Sequence, residues 1–314
     1  MNDFWKNKKI LVTGGDGFLG RHVVKKLIEK GVKEGDVFVA LVQQYDLRNK
    51  EDCMKAVNDQ DIVLHLAGLV GGIAYNLKHP GKAFYDNAAL ALHMLEASRL
   101  QGVQKFVGIG SACEYPNSVE MSLKEADLWS GYPEEVNAPY GMAKKFMLVQ
   151  SQTYRKEYGL NAIHLLMQNL YGPGDKSDPF SSHVIPALIR KVAEAQKEGK
   201  HFIEVWGTGK ARRQFMYVED AADAIILAAE RYDKGDPINI GPREEISIKE
   251  LAELICDLMY FKGEIRWDVS KPDGQLRRFY DLAKAEQEIG FIAKTPFKEG
   301  LKNTIDAYLK NVAV

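Results

Sequence analysis

The chain has 314 residues, of which 27% are charged and 46% hydrophobic, as is usual for a globular protein. Its 42 Lys and Arg residues nearly balance its 43 Asp and Glu residues, and a formal net charge of −1 argues against nucleic acid as a dedicated partner. The sequence has no apolar run of about 18 residues, no secretory signal and only three widely separated cysteines, so we expect a cytoplasmic protein with no membrane partner, disulfide framework or metal site.

Short apolar runs alternate with longer amphipathic segments over the first two-thirds of the chain. The strand-like runs are residues 10–12, 37–42, 62–66, 106–109 and 162–166. Apolar residues at three- and four-residue spacing predict helices over residues 21–30, 81–100 and 141–157. This repetition of strand and helix predicts parallel pairing through right-handed crossovers. The predicted fold class is therefore α/β, a doubly wound parallel Rossmann sheet.

A smaller and more irregular second lobe is predicted in the carboxy-terminal part. It begins with a loop rich in Gly, Pro, Asp and Ser over residues 172–182, followed by a helix from Val184 and a β-like run at residues 202–206. Further helices are predicted near residues 220–232, 248–259 and 296–310. We therefore predict a main domain of residues 1–170, with segments near 214–240 that return to it, and a second lobe of residues 171–213 and 241–314.

A glycine-rich turn follows the first predicted strand and precedes the first predicted helix. Glycine is required where the backbone adopts positive φ, approaches a pyrophosphate or packs a helix on a strand, and the helix N-terminus favours phosphate. The spacing predicts a dinucleotide site that includes Gly14, Asp16, Gly17, Phe18, Leu19 and Gly20. The second strand ends in Gln43 and Gln44, with neither the acid typical of NAD sites nor the arginine typical of NADP sites, so both cofactors stay open.

A candidate reactive group lies further along the chain. Tyr140 and Lys144 are four residues apart and share one face of a predicted helix. A Tyr hydroxyl with a pKa of about 10 is a weak acid or base at neutral pH. An ammonium one turn away, together with a cationic nicotinamide, is expected to lower that pKa. Ser111 ends the fourth predicted strand, where ligands bind in such sheets, and is placed to hydrogen-bond the same oxygen.

Several longer sequence blocks are more specific than the glycine turn, and they span nearly the whole chain. They are residues 65–73, 110–116, 169–173, 182–188, 206–209 with Arg213, and 270–274. Through these blocks the chain resembles the extended short-chain dehydrogenases/reductases of the NAD-dependent epimerase/dehydratase group, and within it the GDP-L-fucose synthase family. The resemblance implies 3,5-epimerisation of a GDP-4-keto-6-deoxy-hexose, followed by NAD(P)H-dependent reduction of its 4-keto group.

The resemblance also implies roles for individual residues. Ser111, Tyr140 and Lys144 match the reductase triad, and Cys113 and His183 match the acid–base pair that epimerises C3 and C5. It implies a cofactor site that adds Leu66, Ala67, Gly68, Tyr140 and Lys144 to the glycine turn. The residues implied in nucleotide-sugar binding are Asn169, His183, Val184, Lys191, Trp206, Arg213 and Lys271, with Arg213 as the expected pyrophosphate contact. The helices over residues 83–100 and 142–154 resemble those of a homodimer interface.

One departure from the family pattern and several alternative functions bear on the interpretation. Asp16 stands where NADPH-using relatives carry a basic residue, and a carboxylate beside a phosphate is unfavourable, which favours NAD over NADP. One alternative is a nucleotide-sugar 4-epimerase that retains NAD, although that reaction needs neither Cys113 nor His183. Others are an epimerase-only or reductase-only enzyme on a related GDP-sugar such as a heptose, and a non-catalytic dinucleotide sensor. The hypothesis of a sensor predicts that the catalytic Tyr or Lys is lost, but Tyr140 and Lys144 are both present.

Overall fold

The computed structural model describes residues 3–117, 122–178, 182–271 and 276–312. Its strands in chain order are β1 (Ile10–Thr13), β2 (Val37–Ala40), β3 (Ile62–His65), β4 (Lys105–Ser111), β5 (Ala162–Met167), β6 (Asn169–Tyr171), β7 (Phe202–Trp206), β8 (Arg212–Arg213), β9 (Phe215–Tyr217), β10 (Ile238–Ile240), β11 (Ile246–Ser247), β12 (Glu264–Asp268) and β13 (Arg277–Arg278). All five strands predicted in the first two-thirds of the chain are present, with ends that differ by a few residues. Of the strands in the second lobe only β7 was predicted: β8, β11 and β13 have two residues each and show no period, and the five residues of β12 include three charged ones.

The helices in chain order are α1 (Phe18–Glu29), α2 (Lys50–Val57), α3 (Ile73–Lys78), α4 (Pro80–Leu100), α5 (Ala138–Tyr158), α6 (Val184–Lys197), α7 (Val218–Arg231), α8 (Ile248–Leu258), α9 (Ala283–Ile289) and α10 (Phe297–Val312). Helix α5 begins three residues earlier than predicted because Pro139 is tolerated in its first turn, where no backbone donor is needed. A 3₁₀ turn of residues Ala112–Glu114, here called the β4 turn, follows β4.

Six parallel strands form the main sheet in the order β10-β5-β4-β3-β1-β2. The chain passes from β1 outward to β2 and then returns to β3 on the other side of β1, so the strand order reverses at β1. The carboxyl ends of strands beside such a reversal form the crevice in which open α/β sheets bind ligands. The predicted Rossmann fold class is confirmed, and strand β10 lies at one edge of the sheet beside β5.

Successive side chains of the central strands point to opposite faces of the sheet and pack in two different apolar cores. Ile10 and Val12 pack on the face covered by α1 and α7, whereas Leu11 and Val63 pack on the face covered by α2, α4 and α5. Both faces of the parallel sheet are therefore buried, which explains why its strands are continuous apolar runs.

A third apolar core joins α6, α8 and α10 to strands β7 and β12. It lies in the second lobe, which also holds a small sheet of strands β11, β8 and β13. Within the residues described, no helix is long and apolar enough to cross a membrane.

Candidate active site

The glycine turn joins β1 to α1 without a side-chain cap on the helix N-terminus. Gly14 has a φ of +66°, and its carbonyl accepts the N–H of Gly17 at 3.0 Å. A side chain at Gly20 would collide with the carbonyl of Gly14, and a methyl group at Gly14 would lie 3.2 Å from the backbone of Ala67. Gly17 is the N-cap of α1 and supplies no side-chain cap, so the first N–H groups of the helix face the turn. Exposed N–H groups at a helix N-terminus favour a phosphate, so the predicted dinucleotide site has a suitable backbone here.

Thr13 fixes the loop after β3 against the glycine turn. Its hydroxyl accepts the N–H of Ala67 at 3.1 Å and also forms a hydrogen bond with Nδ1 of His65 at 3.0 Å. Both side chains are buried. The carboxyl ends of β1 and β3 are thereby linked, which places Leu66 and Ala67 beside the predicted pyrophosphate cradle. Thr13 was not predicted, because a single Thr at a strand end carries no distinguishing sequence signal.

Asn87 of α4 holds the same loop from the other side. Its Oδ1 accepts the N–H of Leu69 at 2.9 Å, and its Nδ2 donates to the carbonyl of Leu69 at 3.0 Å. A methyl group at Gly68 would lie 3.3 Å from Oδ1 of Asn87 and 3.4 Å from Nζ of Lys144. The predicted cofactor loop therefore reaches the Lys144 ammonium, and Asn87 is a further residue of this site that sequence reasoning missed.

The β4 turn carries two predicted catalytic residues. The hydroxyl of Ser111 accepts the N–H of Cys113 at 3.2 Å, and Oε1 of Glu114 accepts the N–H of Ser111 at 2.7 Å. These reciprocal hydrogen bonds form a capping box, which fixes the turn. A side chain at Gly141 would collide with the carbonyl of Cys113, so α5 begins directly against the turn. The fold thus brings Ser111 and Cys113 to the start of the helix that bears Tyr140.

The pKa of Tyr140 differs from the expectation. Burial raises it well above its usual range, Cys113 and Glu114 raise it further, and only the hydrogen bond with Ser111 lowers it. The Lys144 ammonium lies 5.9 Å from the centroid of the Tyr140 ring. The expected lowering of the Tyr140 pKa by Lys144 is therefore not found among the protein side chains, because desolvation of the phenolate is the larger effect. Tyr140 is a protonated phenol at neutral pH.

Lys144 itself is shifted in the opposite direction. Its side chain is buried, and burial lowers its pKa to about 8, while the Glu114 carboxylate opposes the change. The same ammonium, together with burial as the larger cause, lowers the pKa of His65 to about 3, so this histidine is neutral. Desolvation therefore disfavours the charged form of Lys144, and the Glu114 carboxylate favours it.

Cys113 and His183 approach the site from different elements. Burial raises the pKa of the half-buried Cys113 thiol, whereas Arg278 and the hydrogen bond with Ser111 lower it. His183 is exposed at the N-cap of α6, and desolvation by the surrounding protein, followed by Lys176, lowers its pKa. A methyl group at Gly72 would lie 3.3 Å from the carbonyl oxygen of Ser182, so the segment that bears His183 packs near the loop after β3.

Two arginine pairs meet in the small sheet of the second lobe. In the parallel pairing of β8 and β13, Arg212 lies opposite Arg277 and Arg213 lies opposite Arg278. Arg212 and Arg277 both contact the carboxylate of Glu245, at 3.3 Å and 2.7 Å. Because neighbouring residues of a strand point to opposite faces, Arg213 and Arg278 point away from this carboxylate.

Arg278 reaches the catalytic segment. Its Nη2 donates to the carbonyl of Tyr115 at 3.0 Å, directly after the β4 turn. Burial and the charge of Arg278 lower the pKa of Arg213, as expected for two adjacent half-buried guanidinium groups. The sequence analysis named Arg213 as the expected pyrophosphate contact but not Arg278, because the pairing of β8 with β13 is known only from the tertiary structure.

The other predicted nucleotide-sugar residues lie on β6, α6 and β7 and on the segment that follows β12. Asn169 is exposed on β6 and its Nδ2 donates to the carbonyl of Gln214 at 3.4 Å. Val184 begins α6, and on the same helix the ammonium of Lys191 donates to the carbonyl of Glu204 at 2.7 Å.

Trp206 and Lys271 are brought together at the end of β7. The indole of Trp206 is 59% exposed, and Nζ of Lys271 lies 5.6 Å from the centroid of its ring. The rest of the predicted block, residues 272–274, lies outside the described residues.

The remaining cysteines do not reach the site. Cys53 and Cys256 are buried on α2 and α8, each within an apolar core. Within the described ranges, no three His, Cys, Asp or Glu side chains come together in a way that could hold a metal ion.

The sequence is similar to a known protein family and to individual members of it. The sequence profile of the NAD dependent epimerase/dehydratase family matches residues 10–241. A GDP-L-fucose synthase of Sinorhizobium fredii is 37% identical over 308 residues, which cover 98% of this chain and 97% of that protein.

Two solved structures are also similar over nearly the whole chain. The first is a GDP-6-OMe-4-keto-L-xylo-heptose reductase from C. jejuni, with a TM-score of 0.90, 28% identity and coverage of 97% of this chain and 98% of that one. The second is a GDP-L-fucose synthetase from Naegleria fowleri bound to NADP, with a TM-score of 0.88, 27% identity and coverage of 98% and 96%.

Proposed function

The chain belongs to the NAD dependent epimerase/dehydratase family, and from this premise we propose that it is a bifunctional nucleotide-sugar enzyme. It epimerises C3 and C5 of a GDP-4-keto-6-deoxy-hexose and then reduces the 4-keto group with NADH or NADPH. The observation that carries the proposal is the capping box of the β4 turn, which brings Ser111 and Cys113 to the first turn of the helix that bears Tyr140 and Lys144.

The epimerisation step uses the acidity that a C4 ketone gives to the protons of C3 and C5. Cys113 and His183 remove a proton from one face and return one to the other. Enolate charge then develops on O4, where the hydroxyls of Tyr140 and Ser111 donate hydrogen bonds. The raised pKa of Tyr140 suits this role, since the group must remain protonated to donate.

The reduction step uses the same oxygen. A bound reduced nicotinamide supplies hydride at C4. Tyr140 transfers its proton to O4, and the Lys144 ammonium stabilises the negative charge left on the phenolate oxygen. One set of donors thereby serves both half-reactions. Asn169, Val184, Lys191, Trp206 and Lys271 line the nucleotide-sugar site, and Arg213 contacts the diphosphate.

The lobes, the oligomeric state and the location of the protein form part of the same proposal. The separate core of the second lobe supports a boundary between a dinucleotide-binding domain and a nucleotide-sugar-binding lobe. The outer faces of α4 and α5 carry the exposed apolar side chains Phe84, Leu92, Phe146 and Val149, which support a homodimer through these two helices. Substrate and cofactor of this class are cytoplasmic metabolites, so we place the enzyme in the cytoplasm.

A single product analysis tests the proposed reaction. Incubation of GDP-4-keto-6-deoxy-mannose in heavy water with NADH or NADPH, analysed by mass spectrometry and NMR, should give deuterium at C3 and C5 and reduction at C4. Reduction without deuterium would contradict the epimerase activity and leave only the reductase. Deuterium without reduction would leave an epimerase alone. If nothing happens to this sugar, the proposal is wrong for this substrate, and UDP-hexoses with retained NAD become the next test.

A further inference from the structure

On both strands of the small sheet, the arginine that faces the proposed site is followed by buried residues. Arg213 ends β8 and is followed by Gln214. Arg278 ends β13 and is followed by residues 279–281, here called the β13 extension. Gln214 is buried, as is Tyr280 in the middle of the extension. The positions of both guanidinium groups therefore depend on how Gln214 and the β13 extension are held.

Gln214 joins the β13 extension to the main domain. Its Oε1 accepts the backbone N–H of Tyr280 at 2.8 Å and the side-chain amide of Gln168 at 3.1 Å, and its Nε2 donates to the carbonyl of Pro242 at 2.6 Å. Gln168 follows β5, and Pro242 follows the edge strand β10. The side chain of Gln214 is 2% exposed, so loss of its carboxamide would leave buried polar groups unpaired.

Asn239 of β10 holds the same extension at its other end. Its Nδ2 donates to the carbonyls of Asp281 and Leu123 at 3.1 Å and 2.8 Å, and its Oδ1 accepts the hydroxyl of Tyr115 at 2.7 Å. Leu123 in turn pairs with the extension, because its N–H donates to the carbonyl of Phe279 at 2.8 Å and its carbonyl accepts the N–H of Asp281 at 3.0 Å. Asn239 is completely buried and therefore ties the extension to the segments that follow the β4 turn.

Tyr115 connects these contacts to the arginine pair. Its ring packs on the ring of Tyr280, with centroids 5.5 Å apart, and its carbonyl accepts Nη2 of Arg278 at 3.0 Å. Its own N–H donates to the carbonyl of Ala112 at 3.2 Å, within the β4 turn. Arg278 therefore lies beside the β4 turn because the β13 extension is fixed to the main domain.

We propose that Gln214 and Asn239 are positioning residues that fix Arg213 and Arg278 side by side as an anion site. The two arginines lie opposite each other on parallel strands, and adjacent like charges repel each other. The buried carboxamides oppose this repulsion, because their hydrogen bonds tie the residues after both arginines to the main domain. That the anion is the diphosphate of a nucleotide sugar rests on the proposed function. The placement of the arginines does not, since hydrogen bonds within the protein set it.

Binding of GDP to the full chain, measured by isothermal titration calorimetry, tests the positioning role. Gln214→Met keeps the length of the side chain but removes its hydrogen bonds, and should weaken GDP binding about tenfold. With the GDP-4-keto sugar, the same factor should appear in KM and not in kcat. The dissociation constant of the dinucleotide, NADH or NADPH, should stay within about twofold, because the glycine turn follows β1, near the opposite edge of the sheet from β10. A general loss of structure would weaken both ligands.

A double-variant cycle separates positioning from an independent contribution. Asn239→Ala alone should weaken GDP binding about tenfold, but in the background of Arg278→Gln it should add no more than about twofold. Independent effects would multiply to about 100-fold and would contradict the proposal. If Asn239→Ala does not fold, Tyr115→Phe takes its place, since it removes only the hydrogen bond to Oδ1 of Asn239. Its own effect should be about threefold, and it should likewise vanish in the background of Arg278→Gln.

A matched control comes from a buried glutamine elsewhere in the chain. Gln150 of α5 is buried, and its Nε2 donates to the carbonyl of Leu92 at 3.1 Å. Gln150→Met therefore removes a buried carboxamide, as Gln214→Met does, but touches neither the arginine pair nor the β13 extension. It should leave the dissociation constant of GDP unchanged. Equal weakening by Gln150→Met and Gln214→Met would overturn the proposal.

Hydrogen exchange of the free protein tests the placement without any ligand. In Gln214→Met and Asn239→Ala, the backbone amides of Leu123 and Asp281 should exchange at least about tenfold faster than in the wild type, while those of β1 stay unchanged. Unchanged exchange at both amides would overturn the proposal, as would equal weakening of GDP and dinucleotide binding. If the wild type binds no GDP, the proposed function fails, while the exchange rates still decide whether the two carboxamides hold the arginine pair.

Discussion

Arg213 and Arg278 lie opposite each other in register on parallel strands β8 and β13, with their guanidinium groups on the same face of the sheet. Arg278 also donates to the carbonyl of Tyr115 at 3.0 Å, so the second lobe contacts the segment that follows Cys113. Two adjacent guanidinium groups repel each other unless an anion lies between them. The diphosphate of a nucleotide sugar is the anion that the proposed function supplies.

Arg278→Gln should therefore weaken binding of the GDP-sugar. We expect KM to rise about tenfold, which corresponds to about 1.4 kcal/mol of lost binding, with a smaller change of kcat. Arg277→Gln is the matched control, since it removes the neighbouring guanidinium that contacts Glu245 instead. Steady-state kinetics with both variants measures the difference, and equal effects of the two substitutions would contradict a diphosphate role for Arg278.

Cys113→Ser should block epimerisation and spare hydride transfer. The serine hydroxyl is a much weaker acid than the thiol, so it does not form the anion that removes a proton, while the donors to O4 are unchanged. In heavy water we expect deuterium incorporation at C3 and C5 to fall at least about 100-fold, with reduction of the unepimerised ketone retained. Cys256→Ser, in the core of the second lobe, is the control. If Cys113→Ser leaves both steps intact, the proposed role of Cys113 is wrong.

The rate of reduction should fall as the pH rises through about 8. Burial lowers the pKa of Lys144 to about 8, below its ordinary value, so its ammonium is lost in this range. Tyr140 does not titrate there, because burial raises its pKa well above the usual range. The active form needs the ammonium, and activity is therefore present on the acid side and lost on the alkaline side. Measurement of kcat from neutral pH to about pH 10 checks the sign, and a flat profile would refute it.

Asp16 should favour NADH over NADPH. Its carboxylate is exposed in the glycine turn, where it would repel a 2′-phosphate in the adjacent adenosine site. We expect kcat/KM for NADH to exceed that for NADPH by about tenfold, and Asp16→Asn to improve NADPH alone by a similar factor. Glu29→Gln at the far end of α1 should change neither value. Equal use of both cofactors by the wild type would contradict this prediction.

Phe146→Glu should convert the proposed homodimer into a monomer. Phe146 is 39% exposed on α5 beside Val149, and a carboxylate there would be desolvated in an interface between copies. Analytical ultracentrifugation measures the mass of each species. Tyr260→Glu, at a residue 81% exposed in the second lobe, is the control and should stay dimeric. A wild-type chain that is monomeric at micromolar concentration would disprove the interface.

The main sheet and the cofactor turn follow from local sequence patterns. Apolar runs of four to six residues can only be buried on both sides of a parallel sheet, and Gly14 and Gly20 occupy positions where any side chain would strain or block the turn. The i, i+4 spacing of Tyr140 and Lys144 also fixes a shared helix face without knowledge of the fold. For these features, the sequence alone was sufficient.

The charge states and side-chain contacts of the candidate site could not be predicted from the sequence, because they depend on the tertiary structure. The spacing of Tyr140 and Lys144 suggested a lowered pKa of Tyr140, but burial of the phenol raises it. Glu114 and His164 are 50 residues apart in the chain and meet only because β4 and β5 are neighbours. Likewise, Arg277 and Arg278 are consecutive residues of a two-residue strand, and they differ only in the face of the sheet to which each side chain points. Desolvation and the pairing of distant segments arise only in the packed chain. The order of residues therefore determined the fold and the candidate catalytic triad. Packing decided which charged side chains surround that triad.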